Sequence, residues 1–110
     1  MTDPVPTAMV LAPAEHAVAP PTEGVSSHTV VTGPGGLRVV VLGFAAGAEL
    51  AAHRAPRRAL LEIMSGELEL TLGDQIRRAP AGTWVYMDAG LVHAVAAPRP
   101  ATMRLTLLPD

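Results

Sequence analysis

The sequence predicts an all-β, single-domain protein, and three observations carry that prediction. The run Glu67-Leu68-Glu69-Leu70-Thr71-Leu72 alternates charged or polar with apolar residues without a fault, the period of a half-buried strand. Turn residues recur at short intervals: Gly33-Pro34-Gly35-Gly36, Gly73-Asp74, Pro80-Ala81-Gly82 and Asp88-Ala89-Gly90. Short strands punctuated this often build sandwiches or barrels. The length of 110 residues allows one domain, and 49% hydrophobic residues suffice for a packed core.

The elements follow in order. Residues 1–24 carry five prolines (Pro4, Pro6, Pro13, Pro20 and Pro21) and read as an extended N-terminal arm with at most one short element near Ala8–Leu11. The arm lies over the barrel, over a neighbouring subunit, or is loosely ordered. Residues 25–110 form the barrel domain. Ser26–Thr32 is rich in β-branched residues. Leu37–Phe44 is nearly continuous in apolar residues and suits a strand buried on both faces. Arg58–Met64 has helical propensity, but it is short, ends at Gly66 and runs straight into the alternating strand, so it reads as a strand. Glu67–Leu72 and Gln75–Ala79 form a hairpin about Gly73-Asp74. Thr83–Met87, Leu91–Ala97 and Thr102–Leu107 complete the set. In the last, Met103, Leu105 and Leu107 share one face and Thr102, Arg104 and Thr106 the other.

Composition excludes several classes. The net charge of −2 is spread along the chain, which gives no electrostatic footprint for nucleic acid. The absence of Cys excludes disulfides, thiolate chemistry and Cys-based zinc sites. No apolar run is long enough for a transmembrane helix, and no basic-then-apolar leader opens the chain. The expected setting is cytoplasmic, without a membrane partner.

Two spaced motifs point to a family. Gly47, His53 and Gly66 fit G-x5-H-x-H-x3-E-x6-G, with Ala55 at the second His position and Ala59 at the Glu position. Gly82, Gly90 and His93 fit G-x5-P-x-G-x2-H-x3-N, with Asp88 at the Pro position and Ala97 at the Asn position. The stretch Gly66–Gly73 between them is similar to the same region of that family. On these residues the chain resembles small single-domain cupins of the RmlC-like superfamily. The resemblance implies a cupin double-stranded β-helix, a jelly-roll barrel of two antiparallel sheets with a pocket between them, and often a homodimer.

In the full pattern three His and one Glu hold a divalent metal such as Fe, Mn, Ni, Cu or Zn. Here only His53 and His93 stand at ligand positions. Glu62 is near in sequence, but Ala59, Leu61 and Ile63 share the inward face, so Glu62 should point outward unless a bulge intervenes. Glu49 has the parity of His53 but should lie at the strand entrance. Asp88, on a loop before His93, is a further candidate. Without a metal, His53 and His93 can act as an acid–base pair or simply bind a ligand.

Leu61, Ile63, Trp84 and Tyr86 are candidate pocket residues. Trp84 and Tyr86 share a face and could stack on a flat ligand or pack in the core. Arg54, Arg57 and Arg58 cluster near the expected mouth, either as an anion site or as a solvated loop. Arg77-Arg78 should present at least one side chain to water. Phe44, Met64, Met87 and Met103 read as core, and His16 and His28 as surface. Three functions remain open: a small-molecule binding protein, a metal-dependent dioxygenase or isomerase, and a metal-free enzyme using the His pair. The apolar run Leu37–Phe44 needs an outer cover, from the arm or from a second subunit.

Overall fold

The computed structural model describes residues 5–110, so residues 1–4 of the arm lie outside it. A four-residue helix, α1 (Pro13–His16), interrupts the arm. Nine strands follow: β1 (Val25–Thr32), β2 (Arg38–Phe44), β3 (Glu49–Arg54), β4 (Ala59–Ser65), β5 (Glu67–Leu72), β6 (Gln75–Pro80), β7 (Trp84–Met87), β8 (Val92–Ala96) and β9 (Ala101–Leu107). They form a five-stranded sheet, β1-β2-β9-β4-β7, and a four-stranded sheet, β3-β8-β5-β6, with every pairing antiparallel. This is the expected all-β jelly roll. Among the described residues no helix is long and apolar enough to cross a membrane.

The element near Ala8–Leu11 is corrected. The short helix instead starts at Pro13, where the fixed φ of proline suits a first helical position that has no hydrogen bond to lose. The Arg58–Met64 region is a strand, as alternation requires. Ala59, Leu61 and Ile63 face inward and are buried, while Leu60, Glu62 and Met64 are half-buried on the outer side. Tertiary burial overrides local helical propensity here.

The core lies between the sheets. Val40, Leu42 and Phe44 of β2, Leu61 and Ile63 of β4 and Met103 of β9 meet Leu68 and Leu70 of β5 and Val95 of β8. Each of the larger side chains stabilises by roughly 1.5–3 kcal/mol when taken from water. Two glycines make the reversals possible. Gly73 opens the two-residue turn that pairs Leu72 with Gln75, at φ +61. Gly66 sits at φ +72 between β4 and β5, where a Cβ would overlap Pro100 O. Pro80 ends β6, an edge strand, where its missing N–H is tolerated.

The arm supplies part of the outer cover. Gly43 of β2 faces out, and Ala19 O and Pro21 of the arm lie 3.1 Å from the place a Cβ would take. Val41, two residues earlier on the same face, is 1% exposed.

Candidate functional site

The four ligand positions of the motif pattern converge. His53 at the end of β3, Ala55 just beyond it, Ala59 at the start of β4 and His93 on β8 line one cavity of about 230 Å³. Pro56, Met87, Leu105 and Leu107 complete its wall. β3 and β8 pair so that His53 and His93 are direct cross-strand partners. Their ring centroids are 4.2 Å apart at an interplanar angle of 58°. His93 is buried, whereas His53 is exposed at the mouth.

Both imidazoles are held by the same local device. His53 Nδ1 lies 3.0 Å from Ala51 O, and His93 Nδ1 lies 3.1 Å from Leu91 O. A carbonyl oxygen only accepts, so each Nδ1 carries a proton, and in the neutral tautomer this selects, Nε2 keeps its lone pair. The surrounding backbone is fixed as well. Ala55 N donates to Leu91 O at 2.9 Å and Gly90 N donates to Ala55 O at 2.8 Å, which clamps the β7–β8 loop against the end of β3.

Neither carboxylate joins the two rings. Glu62 faces outward, as alternation required, and pairs with Arg104. Glu49 also faces outward, which corrects its expected parity with His53. A one-residue bulge in β3 lies between Leu50, opposite Val95, and His53, opposite His93. The extra residue reverses alternation, so Leu50 and His53 share the inward side and Glu49 does not. Asp88 is engaged by the Tyr86 hydroxyl, which donates to Oδ1 at 3.1 Å.

Trp84 and Tyr86 do not line the cavity. They are 61% and 51% exposed on the outer face of β7, because Val85 and Met87 take its inward positions. Leu61 and Ile63 do point inward, but deeper along β4 than Ala59, where they belong to the sealed core. The wall residues missed from sequence are Pro56, Met87, Leu105 and Leu107. The inward parity of Leu105 and Leu107 with Met103 was the available signal.

The arginines near the mouth are bound to backbone. Arg54 donates to Gly90 O at 3.2 Å, Arg57 to Gly35 O at 2.8 Å and Arg58 to Pro109 O at 3.2 Å. Arg57 also lies 3.6 Å from the Asp110 carboxylate. They therefore tie the Gly-rich turn and the end of the chain to the mouth. Arg78 pairs with Glu67, with Nε 2.6 Å from its carboxylate.

The family pattern implies a divalent metal, and the donor set here does not fit one. A resident ion of that kind takes at least three N or O donors from the protein, with water or ligand filling the remaining positions. The cavity offers two imidazoles among apolar walls, and among the described residues no group of three or more His, Cys, Asp or Glu is placed to hold an ion.

Two antiparallel sheets enclosing a core, with the spaced motif positions gathered at one mouth, define a double-stranded β-helix barrel. Residues 40–109 match the family model described as Cupin domain, and the chain belongs to that family. No curated protein matches it. Among solved structures it is similar to a conserved Streptococcus pyogenes protein of unknown function, at 26% identity over 96% of this chain and 91% of that one, with a TM-score of 0.77. A cupin superfamily protein of Desulfitobacterium hafniense gives 21% identity, 96% and 95% coverage and a TM-score of 0.80. A Klebsiella pneumoniae protein with a double-stranded β-helix domain gives 23%, 94% and 91%, and 0.76.

Proposed function

We propose that the chain is a small-molecule binding protein whose ligand enters the mouth cavity, presents a hydroxyl to the His pair and lays an apolar body against Ala55, Ala59, Met87 and Leu105. The observation that carries this reading is the meeting of two Nδ1-anchored imidazoles and two alanines on one cavity. Two Nε2 lone pairs ask for a donor, which a phenol or alcohol supplies. An anion fits less well, because the nearby guanidinium groups are bonded to carbonyl oxygens and an unpaired charge is costly to bury.

Phenol and anisole differ at the one group in question, since anisole lacks the donor. Titration calorimetry should find phenol the tighter ligand by about tenfold, the worth of one hydrogen bond. His93→Ala should erase the difference. Equal binding of the two, or submicromolar Zn²⁺ binding by the same protein, would count against the reading.

A chemical extension rests on the same lone pairs. The lone pair of a neutral imidazole Nε2 can accept a proton from carbon beside a carbonyl, and the same nitrogen can return one exchanged with solvent. Hydroxyacetone incubated in D₂O should then gain deuterium faster with the wild-type chain than with His53→Ala or His93→Ala. Equal rates for all three would leave binding alone.

A further inference from the structure

We propose that the groove between the arm and the outer face of the five-stranded sheet is a second ligand site, separate from the mouth, and that it takes an aliphatic carboxylate. Its volume is about 520 Å³, against about 230 Å³ for the mouth cavity, and the two share no lining residue. That puts the groove inside the range of about 300–1,000 Å³ common to small-molecule sites.

Strand register dictates its shape. Val31, Val39, Thr106 and Leu60 pair across β1, β2, β9 and β4 in one outward row. Two residues along, Val41, Arg104, Glu62 and Trp84 form the next row, across β2, β9, β4 and β7. Strands about 4.8 Å apart and rows about 7 Å apart make a trough about 19 Å long from β1 to β7 and much narrower than that. Met9, Leu11 and His16 bring the arm against it. Apart from Trp84 at one end, its apolar lining is aliphatic. Such a trough buries an unbranched chain along its length.

The polar atoms in the trough select the head group. Arg104 donates from Nε and Nη2 to Glu62 Oε2. Among the described residues its Nη1 has no partner, so the other edge of the guanidinium keeps N–H groups to satisfy. Thr106 and His16 border the same groove and can also donate. A set dominated by donors calls for an acceptor, and an ionised carboxylate is the acceptor that a guanidinium edge matches best. Charge agrees. Arg104 and Glu62 cancel, and His16 can take up a proton beside a bound anion, so the filled trough strands no lone ion. The mouth differs, because the guanidinium groups near it are committed to carbonyl oxygens.

Trp84 is the only Trp in the chain and borders this groove, so its emission reads occupancy here and not at the mouth. Octanoate and octanol share a chain and differ in the head. Octanoate, below its micelle onset, should shift the emission to the blue and bind at least about tenfold tighter than octanol, the worth of a charge-assisted hydrogen bond. The double variant Glu62→Gln with Arg104→Gln removes both charges together. It should abolish that preference while phenol binding at the mouth stays unchanged. His93→Ala should leave octanoate binding intact, which separates this site from the mouth. Equal or tighter binding of octanol would overturn the proposal, as would loss of octanoate binding in His93→Ala. So would a doubled chain mass in light scattering with a shielded Trp indifferent to octanoate, since a second copy would then fill the groove. If the double variant fails to fold, the octanoate and octanol comparison on the wild-type chain still decides.

Discussion

The two ends of the barrel interior share β4, β8 and β9 and differ in what those strands place inside. At the sealed end, Phe44, Ile63, Leu68 and Leu70 are fully buried against one another. At the mouth, the inward positions hold Ala55, Ala59, His53 and His93 around a cavity of about 230 Å³. Along β4 the change takes only four residues, from Ile63 to Ala59. The sealed end shows what holds the fold, and the mouth shows what the fold leaves free. Small side chains at two former ligand positions remove metal donors and create space in the same stroke.

This contrast can be broken at either end. The largest effect is expected from Phe44→Ala, which should destabilise by about 3–5 kcal/mol in denaturant unfolding because the sealed end has no room to relax. Next comes the paired change Ala55→His with Ala59→Glu. It would add two donors to the cavity and should tighten Zn²⁺ or Ni²⁺ binding by at least about a hundredfold in competition titration.

Ala59→Leu sharpens the contrast from the other side. It should fill the mouth and weaken phenol binding by about tenfold or more while changing stability by no more than about 1 kcal/mol, since the new methyl groups enter existing space. The smallest effect is expected from Arg57→Ala. Its ties to Gly35 O and Asp110 are at the surface, and thermal unfolding should register less than about 1 kcal/mol.

Much of the sealed end was legible in the sequence, because strict alternation in Glu67–Leu72 and Thr102–Leu107 fixes which residues share a face. The hairpin about Gly73-Asp74 and the placing of His53 beside His93 followed from turn chemistry and motif spacing. The outer face was harder to read. Alternation puts Trp84 and Tyr86 together but does not say on which side, and β7 is too short to carry its own signal. Only its pairing with β4, Glu62 opposite Trp84, decides the matter. The alanines read as losses because a missing ligand is visible in a motif and a cavity is not. The bulge in β3 had no signature at all, since Ala51 and Ala52 look alike on either face.

That bulge makes chain length in β3 a variable separate from the identity of its inward residues. Removing one codon, for Ala51 or Ala52, would leave a single residue between Leu50 and His53, and regular alternation would keep both on the inward side. His53 would stay at the mouth and Glu49 outside, while the local bend and twist that the bulge gives the strand would be lost. A single in-frame deletion in this edge strand thus reshapes the rim of the mouth without exchanging any inward residue.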